Sequence, residues 1–299
     1  MKIKKCRNCN HKKLIKLFSL GKQKFSGKFP ARGEKIPNGE LDLIMCSRCK
    51  LVQLRNVFNL KYLYNKDYGY RTGINKTMTN HVKSVTTKLA KISKLRIKDN
   101  VLDIASNDGT LLNHYKKNII TWGIDPILYK YKKNYNKINY KITNFFNYKF
   151  IIRKKKSVKF KIITALSVFY DLENPHDFIV AVKKLLHKDG IFYLEFQDLM
   201  KILKNNMFDT ICHEHLEYYS VNFINSLMKK HNLRVFDHYY NKINGGSSAY
   251  FICHRNSYYK SHTSKINKII NQEIKYGIKK ISTYKNFKKK IDLLKNRLN

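Results

Sequence analysis

Acidic residues are scarce in this chain: 20 Asp and Glu stand against 61 Lys and Arg in 299 residues. Any cluster of proton-transfer groups is therefore conspicuous. Long apolar runs are missing as well, and none approaches the roughly 20 residues that span a bilayer. The start, MKIKKCRNCN, has neither an apolar stretch nor a cleavage site, which argues against a signal peptide and predicts a cytoplasmic protein. A G-x-G-x-x-G fingerprint is absent, which disfavours a dinucleotide pyrophosphate loop. Disorder is disfavoured by 43% hydrophobic and 13% aromatic residues.

What is abundant is positive charge. The formal net charge of +41 would ordinarily point to nucleic acid or an anionic membrane. Here the lysines are spread along the whole chain, beside abundant Asn, Ile and Tyr, as an AT-rich genome would produce. The charge therefore predicts non-specific polyanion affinity more than a dedicated nucleic-acid site.

Four of the six cysteines fall in two C-x-x-C pairs, Cys6/Cys9 and Cys46/Cys49. Cytosolic thiols stay reduced, so this spacing predicts a metal site, and four thiolates suit tetrahedral zinc, with iron as the lesser alternative. A site closed by four sulfurs leaves no open position, so the role is structural. The 36 residues between the pairs, with Pro30 and Pro37, are expected to loop out. Cys212 and Cys253 lack near partners in sequence and are read as packed or site-lining thiols.

After Asp99 short apolar strands alternate with helical segments: NVLDIAS, LLNHYKK, IITWGIDP, IITALSVFYDL, FIVAVKKLL and GIFYLEFQD. This predicts an α/β fold, a Rossmann-like, mostly parallel sheet with an antiparallel edge strand, beside a small N-terminal zinc-binding domain. LRVFDHYY and SAYFICH, around Gly245-Gly246, read as a terminal hairpin. The expected divisions are 1–62 for zinc, 63–258 for the α/β domain and 259–299 for an amphipathic helical tail. The tail's stripe, from Ile266 through Ile269, Ile270, Ile274, Ile278 and Ile281 to Leu298, needs cover from the main domain or from a partner chain.

Two segments carry chemistry. VLDIASNDGTLL is a strand that breaks at Ser106 and is expected to restart as a helix after Gly109; Asp103, Ser106, Asn107, Asp108 and Gly109 then line a crevice at the strand ends. An acidic loop suits a cationic ligand, and Asp125, ending the next strand, is placed for two ribose hydroxyls. The second segment, FDTICHEHLEYYS, packs His213, Glu214, His215, Tyr218 and Tyr219 together, groups that move protons near neutral pH or bond a carbonyl. The blander alternative is a wet loop capping the helix that starts near Ser220.

VLDIASNDGTLL resembles motif I of the class I S-adenosylmethionine-dependent methyltransferases, and WGIDP the ribose-binding motif that follows it. With the cysteine pairs, GYRTGINKTM, SVFYDLENPHDF, FDTICHEHLEYYS and INGGSSAYF, the chain is similar, from Cys6 to about Leu298, to the zinc-containing C-methyltransferases acting on nucleotide-activated deoxysugars. The resemblance implies S-adenosylmethionine held by Asp103, Ser106, Asn107, Asp108, Gly109 and Asp125, with Leu166 and Ser167 against it. It also implies catalysis by His215, Glu214 and Tyr70, with His213 alongside, and a turn at Asn244–Ser247 near the same cavity. One of Glu214 and His215 would remove a proton beside a ketone. Asp171 stands where relatives often have histidine, and Cys212 where they often have tyrosine. The resemblance further implies a second α/β domain, which is expected to be absent here. An RNA or other methyl acceptor, and an inactive zinc-bearing scaffold, are the competing readings.

Overall fold

In the computed structural model, which describes residues 1–26, 30 and 32–298, the backbone forms two β-sheets. Strands β1 (Leu14–Lys24), β2 (Asn38–Cys46) and β3 (Val52–Leu54) follow one another antiparallel. A two-residue strand from far along the chain, β9 (Glu217–Tyr218), completes this sheet by pairing antiparallel with β3. The segment between the cysteine pairs is thus not a looped-out insertion. Most of it is the β1–β2 hairpin, because LIKLFSL and LDLIMC both carry apolar residues to bury.

The larger sheet is built from β4 (Asn100–Ile104), β5 (Ile120–Ile124), β6 (Tyr140–Ile142), β7 (Phe160–Leu166), β8 (Leu186–Gln197), β10 (Leu233–Asn241) and β11 (Ser247–His254). Its order is β10-β11-β8-β7-β4-β5-β6. The five strands from β8 to β6 are parallel, and β11 runs antiparallel between β8 and the edge strand β10. Val101–Ile104 and Ile162–Ala165 are wholly buried, as apolar runs covered on both faces should be. On the β5–β6 side Trp122 stacks on Tyr140 with centroids 3.7 Å apart.

Helices α1 (Leu60–Leu63), α2 (Lys76–Ile92), α3 (Tyr148–Lys154), α4 (Pro175–Leu185), α5 (Leu199–Lys204), α6 (Val221–Lys230), α7 (Thr263–Tyr276) and α8 (Ile281–Leu298) connect and cover the strands. In α2, Met78, Val82, Val85 and Leu89 recur on one buried face, and the Asn75 side chain accepts from Met78 N to cap the start. Pro175 opens α4, with the Asn174 side chain accepting from Asp177 N. The helix expected after Gly109 does not form; only the short 3-10 turn Leu112–His114 follows. Among the described residues no helix is long and apolar enough to cross a membrane.

The tail is two helices, broken at Gly277, whose φ of 81° is a left-handed conformation that glycine adopts without a Cβ penalty. Ile266, Ile269, Ile278, Phe287 and Ile291 are buried against this chain's own residues, whereas Ile274 is 58% exposed. One internal tie is polar. Fully buried Glu273 on α7 accepts from Val221 N at 2.6 Å and Asn222 N at 2.9 Å, placing a carboxylate at the start of α6. Replacing Glu273 with Ala orphans both amides and should cost about 1–3 kcal/mol in urea unfolding. Burial first, and Asp198 second, push this carboxyl up to about 7. Folding then takes up a proton between the ordinary carboxyl range and about pH 7, so its contribution to stability falls as pH rises through that window. Glu273→Gln should flatten that slope; an unchanged slope would place the titration elsewhere.

Candidate active site and metal centre

The four cysteines converge. Their sulfurs lie within 4.8 Å of one another, with Sγ–Sγ distances of 3.5 Å for Cys6–Cys49 and Cys9–Cys46. Tetrahedral zinc with Zn–S bonds of about 2.3 Å separates its sulfurs by about 3.8 Å, so the set fits. Backbone N–H groups of Asn8 and Cys9 donate to Cys6, and those of Arg48 and Cys49 to Cys46. The bond to Cys49, with help from Gln53 Nε2 at 3.3 Å, lowers the Cys6 thiol toward the thiolate that a metal would need. Arg7, inside the first pair, donates Nη1 to Leu54 O at 2.7 Å and to Gln53 Oε1 at 3.3 Å, tying this knuckle to β3.

A cavity of about 820 Å³ opens at the carboxyl ends of β4, β5 and β7. Asp103, Ser106, Asn107, Asp125, Leu166 and Ser167 all line it, as the sequence predicts. Asp103 accepts from Thr164 Oγ1 at 2.6 Å, and burial pushes its carboxyl up to about 7. Burial likewise pushes Asp125 up to about 6, although Ile127 N and Asn107 N donate to its two oxygens at 2.8 and 2.9 Å. A cation lodged between these acids favours their ionised forms. Each Asp125 oxygen keeps a lone pair for a further donor.

Asp108 and Gly109 are different. Neither lines the cavity. The Asp108 carboxylate accepts from Arg71 Nε and Gly73 N, each at 3.0 Å, and from Thr110 Oγ1 at 2.6 Å, so it clamps the 70–73 segment to the β4 loop. Asn107 helps, accepting from Thr72 N at 2.9 Å and donating Nδ2 to Tyr70 O at 3.2 Å. Gly109 is required by its φ of 77° and by Tyr135 and Ile138, which a Cβ would strike.

Tyr70, Glu214, His215 and Asn244 line the same cavity. His215 Nδ1 donates to Thr210 O at 2.8 Å, which leaves Nε2 as the ring's acceptor; its ring lies 4.0 Å from that of Tyr170. Burial raises the Glu214 carboxyl, and its Oε1 is buried with no partner. His213 points away. It packs between Phe25 and Phe58, with centroids 4.6 and 4.8 Å distant, and donates Nε2 to Gly39 O at 3.3 Å, so it is part of the β1–β2 hairpin's packing and not of the cavity wall. Tyr218 and Tyr219 are also buried off the cavity, with Tyr219 OH donating to Glu217. Ser220 does cap α6, accepting from Phe223 N. Cys212 has near partners after all: its sulfur lies within 4.8 Å of Glu214 and His215 ligand atoms.

Several residues of the site carry no signal in the sequence. Tyr135, fully buried, takes a hydrogen bond from Ser106 Oγ at 2.7 Å and donates to Asn107 O at 2.9 Å, fixing the β4 loop from behind. Tyr64 OH donates to Asp171 Oδ2 at 2.7 Å on the cavity wall, and burial pushes that carboxyl well above the ordinary range. Gln197 donates to Thr210 Oγ1 and Asn244 O, both at 3.1 Å, bridging the histidine's support to the 243–246 turn. A tyrosine among 21 offers no pattern to find it by.

The metal centre reaches this wall through β3. Leu54 N donates to Leu216 O and Leu216 N to Tyr170 O, both at 2.8 Å, so the residue after His215 is held from two sides. Cys9→Ala should release the metal and raise amide exchange in β2, in β3 and in Glu217–Tyr218. Exchange in β9 that stays at wild-type rates would break the proposed link.

Comparison with known proteins agrees with this arrangement. A family model described as "Putative zinc binding domain" matches residues 6–64, a "Methyltransferase domain" model residues 74–238, and a "C-methyltransferase C-terminal domain" model residues 242–299. The last match corrects the expectation that the C-terminal domain is absent. The C-methyltransferase NovU of Streptomyces niveus is 27% identical over 260 residues, covering 83% of this chain; the chain spans 60% of that relative's length. Solved structures of similar fold include an S-adenosylmethionine-dependent methyltransferase of Clostridium acetobutylicum, with TM-score 0.47 and 13% identity over 58% of this chain and 91% of that one. Magnesium protoporphyrin IX methyltransferase of Synechocystis, solved with bound SAH, has TM-score 0.45 and 13% identity over 62% of this chain and 90% of its own. The methyltransferase model alone spans more than half of the sequence, and with a zinc-binding match before it and a C-methyltransferase match after it, the chain belongs to the zinc-containing, S-adenosylmethionine-dependent C-methyltransferase family.

Proposed function

We propose that this chain transfers a methyl group from S-adenosylmethionine to a carbon beside the ketone of a nucleotide-linked deoxysugar. The observation that carries this reading is one cavity lined by both sets of groups: Asp103 and Asp125 at the strand ends, and Glu214 and His215 from the chain beyond β8. The NovU match supports carbon as the acceptor atom.

When bound, S-adenosylmethionine supplies a sulfonium methyl to a carbanion and departs as a neutral thioether. The residues of the chain do the rest. Asp125 offers its remaining lone pairs to ribose hydroxyls, and Asp103 and the Asp125 charge favour the cationic form of the ligand over its neutral product. His215, its Nδ1 proton fixed on Thr210 O, presents Nε2 to take the proton from the carbon next to the ketone. The imidazolium so formed would face the carboxyl groups of Asp171 and Glu214, and its charge opposes the rise that burial gives each of them. Tyr70 lines the same cavity, and we assign its hydroxyl to the enolate oxygen.

An RNA acceptor is disfavoured by the sign of the lining. Asp103, Asp125, Asp171, Glu173 and Glu214 face the cavity, with Arg71 as its one Lys or Arg among the described residues. A long polyanion would have to thread its phosphates along this acidic lining, whereas a nucleotide-linked sugar need only place its ketosugar end inside. The complete set of groups also argues against an inert scaffold.

Asp125→Ala should weaken S-adenosylmethionine binding by at least about tenfold in calorimetry, equal to one lost hydrogen-bonding group. His215→Ala should lower turnover by about 100-fold or more while that binding persists. With nucleotide ketosugar in D₂O and no cofactor, wild type should exchange the proton beside the ketone and His215→Ala should not. Equal exchange in both would remove His215 as the base.

A further inference from the structure

The two cysteine knuckles share a detail with a third stretch of chain. In each knuckle the N–H groups two and three residues on donate to the leading sulfur: Asn8 and Cys9 to Cys6, Arg48 and Cys49 to Cys46. Cys212 receives the same pair, from the backbone of Glu214 and His215, and its remaining hydrogen-bond partner is the Ser26 side chain. Cys212-His213-Glu214-His215 is therefore a knuckle of the form C-x-x-H, with a sulfur and an imidazole in the places of two sulfurs. Cys212 Sγ, a Glu214 carboxylate oxygen and a His215 ring nitrogen lie within 4.8 Å of one another. Because Nδ1 is engaged with Thr210 O, the available nitrogen is Nε2, and a carbonyl holding the opposite N–H is the usual support of a metal-bound imidazole. Two further oxygens are unpartnered here: Glu214 Oε1, and Oδ1 of Asp171, a residue only 9% exposed whose charge couples to all three ligands.

We propose that Cys212, Glu214 and His215 form a second metal site, separate from the four-cysteine centre, for a borderline-soft divalent cation such as zinc or cobalt(II). One thiolate, one imidazole and one carboxylate suit these ions, and three protein ligands leave a fourth position facing the cavity. Binding releases the Cys212 thiol proton to solvent and takes the Nε2 lone pair. Occupancy therefore suppresses methyl transfer; that consequence, unlike the binding itself, rests on His215 being the base.

The test is metal analysis of reduced, full-length protein equilibrated with buffered free zinc. Two equivalents per chain are expected in wild type and one in Cys212→Ser. Wild type remaining at one equivalent at saturating zinc overturns the proposal, and so does a second equivalent that persists in Cys212→Ser. A measurement without any variant guards against a misfolded mutant: cobalt(II) added to protein that retains its one zinc should produce a sulfur-to-cobalt charge-transfer band. Absence of that band also overturns the site. In the activity arm, excess zinc should inhibit wild type more than Cys212→Ser. Two equivalents without inhibition would leave the site standing and remove His215 as the base.

Discussion

The pairing of β3 with β9 is the constraint on which the rest depends. It is only two residues long, Val52 with Tyr218 and Gln53 with Glu217, yet it fastens the zinc-binding segment to the chain immediately after His215. A strand this short has little stability of its own. It persists because β3 is anchored at one end by the cysteine knuckles, through Gln53 on Cys6 and Arg7 on Leu54. On the other side, Leu216 bonds both Leu54 and Tyr170. The four-cysteine centre is thus linked through β3 to the backbone that carries the His215 imidazole. Buried Glu217 sharpens the dependence: burial pushes its carboxyl up to about 8, and the Arg7 charge and Tyr219 hydroxyl oppose that shift. Loosening the knuckle would strip a buried acid of its nearest cation.

The second organising contact is the clamp between the β4 loop and residues 70–73. Asp108 and Asn107 spend their side chains on backbone and Arg71 groups of that segment. The same turn that lines the cavity therefore fixes the backbone at Tyr70. Ala105, Asn107 and Gly109 alternate in positive φ along the loop, 57°, 49° and 77°, and the strain at the two non-glycine positions is held by bonds to Ile124 O and Asp125. The β4 loop and the 70–73 segment are thus held as one unit.

Much of this was legible in the sequence, for physical reasons that differ by residue. The parallel strands read cleanly because buried strands are continuous apolar runs, and Asp103 and Asp125 were placed by their positions at strand ends. The cysteine pairs read cleanly because two-residue spacing has few other uses. What failed was local inference across long range. His213 looked equivalent to His215, two residues on, but its surroundings come from Phe25 and Phe58, more than 150 residues away. Asp108 looked like a cofactor ligand, and its true partners Arg71 and Gly73 precede it by about 35 residues. The helix expected after Gly109 was overruled because Tyr135 and Ile138 pack against the loop that would have begun it.

Acid scarcity, the first property of the sequence, is sharper at the surface than inside. Asp103, Asp108, Asp125, Asp171, Glu195, Asp198, Glu217 and Glu273 are all buried, a large share of the 20 acids in the chain. Burying a carboxylate is expensive unless donors or cations meet it, so residues kept inside at that cost are kept for what they hold. Asp108 holds a segment, Glu273 a helix start, and Glu195 the His81 ring at 2.6 Å. Asp103, Asp125 and Asp171 instead face an open cavity. The lysines outside set a positive field that screens within about 10 Å at moderate salt. The cavity keeps its own sign beneath that field, and a sulfonium inside it answers to the local acids. The whole-chain charge therefore describes the solvent boundary, and the chemistry follows the minority of residues carrying the opposite sign.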